Sequence, residues 1–317
     1  MSPDAPMFAP VDRCWVCGGR TLRAVHELIF EFQVYATQDP ELAAYTGQRL
    51  ALARCESCGF SQPAALPTLP HYFARMYDQR WSEDWMAREF ASGYKDLIFR
   101  TVLRALARRL PPSRRTLLDL GAHVGRLLRL ARDAGWTAEG VELNPQTAAF
   151  AAQATGLPVH QADARTLSAA GRRYDAVTLI DVLEHIPDPV SLLATARGLI
   201  GAGGWIAVKV PNGPAQLRKE LWRSRVVPGY RATVADNLVH VNHFSPRALA
   251  LALARAGFRD IRVGPAAPEI VQPRDASPMR RWAVNGLRRT AYGVARSLPG
   301  GTRTPLALHL QAYGRAP

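Results

Sequence analysis

Four cysteines make up the whole cysteine content of this 317-residue chain, in two matched pairs, Cys14-Trp-Val-Cys17-Gly and Cys55-Glu-Ser-Cys58-Gly. Each pair reads as a metal knuckle, in which two thiolates approach one ion across a tight turn. Four thiolates suit tetrahedral zinc and leave no open coordination position, so the ion's expected role is structural rather than catalytic. Burial as small hydrophobes and a redox pair are the competing readings, and neither accounts for two matching knuckles in a chain expected to be cytosolic. The long separation between the pairs is expected to hold a hairpin insertion, placed through Leu28 to Tyr35.

Acidic residues at the ends of apolar runs form the second group. Asp119 interrupts Thr116 to Leu120, a run too short for a helix that leads into Gly121 and Gly125. Glu142 ends Trp136 to Val141, while Asp163 and Asp181 follow Pro158 to Gln161 and Tyr174 to Ile180. In an open parallel sheet, the carboxyl ends of the strands face the ligand crevice. Gly121 and Gly125 let the backbone turn tightly and approach a ligand. Glu142 stands 21 residues past Gly121, where an acid can accept both hydroxyl protons of a ribose.

To bring these residues together, strands and helices must alternate. Leu127, Leu128, Leu130, Ala131 and Ala134 recur at helical spacing, and Gly135 is the stop. Asn144-Pro145, Asp188-Pro189 and Ser245-Pro246 are cap pairs that open helices, with stops at Gly156, Gly201-Ala-Gly-Gly204 and Gly257. Trp205 to Val210, Ile261 to Val263 and Leu306 to Tyr313 complete a set of seven strands. The pattern predicts an α/β, doubly wound sheet. Outside it, residues 1–13 are expected as a loose arm and the proline-rich 61–70 as a linker. Tyr72, Phe73, Tyr77, Trp81, Trp85, Phe90 and Tyr94 then mark a helical segment ahead of the amphipathic run Asp96 to Leu110.

The formal charge of +14 would suit nucleic acid or an anionic membrane, but basic residues are spread along the chain and lysine occurs only at 95, 209 and 219. No stretch approaches the 18 consecutive apolar residues that indicate a membrane span, and the default expectation is a cytoplasmic protein. Met279 to Leu298 sets Trp282, Leu287, Tyr292 and Val294 among five arginines. It reads first as a solvated helix or two covering the domain, and second as a peripheral contact with an anionic surface or RNA.

Asp119-Leu-Gly121-Ala-His-Val-Gly125 resembles motif I of the S-adenosylmethionine-dependent methyltransferases with a Rossmann-like fold, with His123 at the middle glycine. Asp181-Val-Leu-Glu-His-Ile-Pro-Asp-Pro189 resembles the segment after the fourth strand in small-molecule methyltransferases. Leu238-Val-His-Val-Asn-His-Phe-Ser-Pro246 is similar to the histidine loop of sugar C-methyltransferases, which also carry an N-terminal zinc module; Val239 stands where those enzymes have glutamate. The resemblance implies a mostly parallel, seven-stranded Rossmann-like sheet with a small zinc-ribbon-like module. The implied domains are a zinc-binding module at 1–65, a helical linker or lid at 66–110 and a methyltransferase domain at 111–317, with a substrate insertion at 212–244 and a basic helical insertion at 275–300.

It further implies an enzyme that binds S-adenosyl-L-methionine through Asp119, Gly121, Gly125, Glu142, Leu143, Asp163, Ala164 and Asp181, with Asp163 accepting from the adenine amino group. His240 is the first candidate base and His185 the second. Cys14, Cys17, Cys55 and Cys58 hold structural zinc, in a module expected to have its own core. The implied acceptor is a small molecule: a nucleotide sugar, a glycan precursor or a secondary metabolite. An RNA methyltransferase with a zinc ribbon and a non-catalytic methyltransferase-like module are the two other readings.

Overall fold

The computed structural model describes residues 7–77, 82–231, 238–271 and 277–317; Trp81 and Asp236, a candidate orienting group for His240, lie outside the described residues. The chain opens with β1 (Phe8–Pro10), β2 (Leu22–Ile29), α1 (Pro40–Ala43), β3 (Arg49–Cys55), β4 (Ser61–Pro63) and β5 (Ala65–Pro67). β2, β3 and β4 form one antiparallel sheet, and β1 pairs with β5. The hairpin between the knuckles is β2–β3, with Leu22 opposite Cys55; residues 28–35 instead carry the chain out of β2. The expected arm and linker supply β1, β4 and β5. Each of these strands ends on a proline, a strand end being a position that tolerates the missing N–H.

Three helices follow, α2 (Tyr72–Tyr77), α3 (Glu83–Ser92) and α4 (Asp96–Ala107). α3 is capped by Ser82 and stopped by Gly93 at φ 63°. α4 buries Ile98, Phe99, Val102, Leu103 and Leu106, an apolar stripe at helical spacing.

The large sheet and its helices are β6 (Thr116–Leu120), α5 (Arg126–Asp133), β7 (Thr137–Val141), α6 (Pro145–Thr155), β8 (Val159–His160), α7 (Ala164–Ala169), β9 (Tyr174–Ile180), α8 (Pro189–Gly198), β10 (Ile200–Pro211), α9 (Gly213–Val226), α10 (Pro246–Arg255), β11 (Arg259–Pro265), α11 (Pro278–Ser297) and β12 (His309–Arg315). Strand order is β8-β7-β6-β9-β10-β12-β11. Only β12 runs antiparallel to its neighbours, so the sheet is the expected α/β, doubly wound, mostly parallel one. The order turns back between β6 and β9, the switch point at which such sheets take ligands. Gly201 to Gly204, predicted as the stop of α8, lies within β10 instead. Ile200 already pairs with Tyr174 and the strand bulges before Trp205. A Cβ on Gly204 would stand 2.7 Å from the Asp175 carbonyl oxygen, so close backbone approach is what demands glycine there.

Alternation along the central strands divides the core. Leu117, Ala176 and Ala207 face α4 and α5, while Leu118, Val177, Ile206 and Val208 pack with Leu193 of α8 and Leu249 and Leu253 of α10. Cys14, Val16, Cys55, Cys58 and Phe60 belong to the second layer. The cysteine knuckles therefore share the sheet's core, while the rest of the module packs a cluster of its own around Leu28, Phe30, Phe32, Leu42, Leu50 and Leu52, completed by Tyr72, Leu238 and Val241. No described helix is long and apolar enough to cross a membrane.

Candidate active site

β6 delivers the chain into a turn in which Gly121, His123 and Gly125 have φ of 81°, 48° and 81°. A Cβ on Gly121 would lie 2.4 Å from Val182 Cγ2, and one on Gly125 2.9 Å from Thr155 Cγ2. The first glycine thus lets the turn touch the segment after β9, and the second lets α5 start against α6. His123 takes the left-handed backbone with a side chain attached, at a cost of roughly 1–2 kcal/mol. Its N–H donates to Glu142 Oε2 at 2.9 Å, and its ring meets Trp85 of α3 edge-on, centroids 5.6 Å apart. Burial pushes the His123 imidazole down to about 4, so it is neutral near pH 7.

Glu142 spans the crevice between β7 and this turn, because its second oxygen accepts from Asn144 N at 3.0 Å. Asp119 sits beneath it, buried, accepting from Thr178 Oγ1 at 2.6 Å. Burial raises the Asp119 carboxyl to about 7, with a further upward push from the Glu142 charge. Leu143 is exposed beside Glu142. Asp163 stands two strands out from β6, capping α7 by accepting from Arg165 N at 2.8 Å, with Ala164 buried behind it.

A second cluster forms beyond β9. Asp181 is bound by Lys209, buried in β10, and by Lys95 at 2.8 Å. Burial would raise its carboxyl, but the two ammonium charges outweigh it and hold Asp181 well below the usual carboxylate range. Glu269 lies 3.8 Å from the Lys209 ammonium. His185 Nδ1 donates to the Val239 carbonyl at 2.5 Å, and the His185 and His240 rings are 4.8 Å apart. Burial lowers both imidazoles, His240 to about 3 with help from its histidine neighbours. The structure therefore brings Asp119, Gly121, Gly125 and Glu142 into one group and Asp181, His185 and His240 into another.

The cysteine module holds the histidine loop. Ser61 of β4 and His243 exchange backbone hydrogen bonds of 3.1 and 2.9 Å, and Phe60 packs on Phe244 with centroids 5.0 Å apart. All four cysteines are free thiols whose sulfurs lie within 4.8 Å of one another. Gly18 and Gly59 supply the left-handed turns of the two knuckles. This is the donor set that a tetrahedral zinc ion takes.

A profile of a methyltransferase domain family matches residues 90–263, from the end of α3 into β11 and over more than half of the chain. The chain belongs to this methyltransferase family. It is similar to ubiquinone biosynthesis O-methyltransferases of Nitrosomonas europaea, 29% identical over 106 residues (32% of this chain, 45% of that protein), and Cereibacter sphaeroides, 32% over 114 residues (34% and 46%). The chain spans about half the length of the curated relatives it matches. Among solved structures, a Haloferax volcanii complex containing the Trm112 methyltransferase activator has a chain 20% identical at TM-score 0.51, covering 75% of this chain and 100% of that one. An S-adenosylmethionine-dependent methyltransferase from Archaeoglobus fulgidus is 18% identical at TM-score 0.45, with coverages of 74% and 100%.

Within this methyltransferase fold, sequence reasoning missed Lys95, Lys209, Glu184 and Glu269. One signal was available for Lys209. It interrupts the apolar run Ile206 to Val210 as Asp119 interrupts β6, and a fully buried ammonium requires an acid partner. Lys95, in a chain with only three lysines, is a second cation on the same aspartate, Asp181.

Proposed function

We propose that this chain is an S-adenosylmethionine-dependent methyltransferase acting on a small-molecule acceptor, by O- or C-methylation. The observation that carries the reading is the adjacency, at the sheet's switch point, of the glycine turn with Glu142 across it and the histidine-bearing cluster beyond β9. The residues fit the cofactor. Each oxygen of Glu142 accepts one backbone N–H and keeps a lone pair for a ribose hydroxyl, while Asp163 and Ala164 would hold the adenine. S-adenosylmethionine supplies an electrophilic methyl on a sulfonium. The chain's part is to hold donor and nucleophile in line and to manage the acceptor's proton.

His240, then His185, is nearest that task. Held low by burial, these imidazoles meet an acceptor unprotonated, and His240 accepts a hydrogen bond or a cation more readily than a proton. Phenolic, sugar and other hydroxyl acceptors all suit the site; the ubiquinone-biosynthesis relatives support an O-methylated small molecule, and the histidine loop supports a nucleotide sugar, glycan precursor or secondary metabolite. Structural zinc on Cys14, Cys17, Cys55 and Cys58 would fix the module at 1–65 that backs the loop, with 66–110 as lid and 111–317 as the transferring domain. Incubation with methyl-labelled cofactor and separate small-molecule and RNA extracts tests this. Label in the small-molecule fraction is expected; label in RNA alone, or no cofactor binding by calorimetry, overturns it.

A further inference from the structure

We infer that Glu184, His185 and His240 form a binding site for one divalent transition-metal ion at the acceptor end of the site, separate from the four-cysteine cluster. Three groups from two distant segments bring one ligand atom each to within 4.8 Å of the others. Ligands bonded to one ion at about 2.1 Å stand roughly 3–4 Å apart, so small side-chain rotations close the tripod. Two imidazoles and a carboxylate on one side of an ion suit zinc, manganese, iron or cobalt, whereas magnesium and calcium favour all-oxygen shells.

Two independent features mark the tripod as built for a cation. Glu184 is 1% exposed, and its Oε2 is buried with no hydrogen-bond partner. A carboxylate left so is costly unless a proton or a cation compensates it. The second feature is the hydrogen bond between His185 and the Val239 carbonyl. A carbonyl only accepts, so the 2.5 Å contact with Val239 puts the hydrogen on Nδ1 and leaves the lone pair on Nε2, the tautomer that metal-bound histidines are given by such bonds. The lysines nearby do not oppose a cation. Lys95 and Lys209 are matched by Asp181 and Glu269, so an ionised Glu184 gives the cluster a net negative charge.

What the ion would do rests on the methyl-transfer reading; that it binds does not. A hydroxyl acceptor polarised there would release its proton to water as its oxygen bonds the methyl carbon and the sulfonium carbon–sulfur bond breaks, leaving a neutral thioether.

The test uses the full chain with its cysteine site loaded with zinc, titrated with Mn(II) and read by loss of the free-ion electron paramagnetic resonance signal, without cofactor or acceptor. One bound Mn(II) per chain is expected, with Glu184→Gln and His240→Ala each weakening it by about 10-fold or more while zinc content and circular dichroism stay unchanged. No binding up to about 1 mM Mn(II), the weak end of the range of functional divalent-cation sites, or binding undiminished in both variants, overturns the site. Because the assay contains no methyl donor, its failure is distinct from failure of the transferase reading.

Discussion

Replacing Asp119 by asparagine probes the strand end from which the site is built. The side chain is 3% exposed, and burial raises its carboxyl from the ordinary 3.8 to about 7. Unfolded chains ionise this group near pH 4, whereas the native state holds its proton until near pH 7. With the folded value raised, its contribution to stability is full below about pH 4 and is lost as pH rises to about 7. At 1.36 kcal/mol per pH unit, ionisation costs the native state about 4 kcal/mol once complete, and about 3 kcal/mol of that falls between pH 4.5 and 8. Asparagine keeps the shape and an acceptor for Thr178 but cannot ionise. Urea unfolding followed by circular dichroism at both pH values should therefore show the variant gaining on the parent by about 3 kcal/mol at the higher pH. A difference between parent and variant that is constant to within about 1 kcal/mol would mean that Asp119 ionises as an exposed acid does, and the account of the strand end would fail.

Other perturbations separate the two halves of the site. Glu142→Ala should weaken S-adenosylmethionine binding by about 1–3 kcal/mol in calorimetry without unfolding the chain; unchanged affinity would move the ribose acceptor elsewhere. His240→Ala should leave cofactor affinity nearly unchanged and lower turnover by roughly 10²–10⁴-fold, and full activity would reduce His240 to a loop residue. Cys55→Ser should abolish zinc binding and, because the knuckles share a core with α10 and β4 holds His243, lower the melting temperature of the whole sheet. An unshifted main transition in calorimetry would instead show an independent module. His123→Gly should stabilise the turn by about 1 kcal/mol through relief of the left-handed backbone, and a loss of stability would mean that the Trp85 contact outweighs that strain.

What the sequence made legible was local, and what it hid was not. Asn144, Asp188 and Ser245 cap helices whose first residue is proline, and such signals span only a few residues, so the alternation of strands and helices could be read without the fold. Asp119 was legible for a different reason: a carboxylate inside an apolar run is costly anywhere but at a ligand or a partner. The same reasoning applies to Lys209, yet its partners Asp181 and Glu269 come from distant segments, and only the folded sheet shows that two lysines are committed to one aspartate. The module's role was hidden in the same way. Cys55 and Cys58 have the spacing of metal ligands, but nothing near them in sequence says that Phe60 and Ser61 grip Phe244 and His243. That grip makes the small module the floor of the histidine loop. An ion held by the four cysteines would thereby have a physical route to the proposed acceptor end, because loosening β4 would free the backbone of His243 three residues from His240.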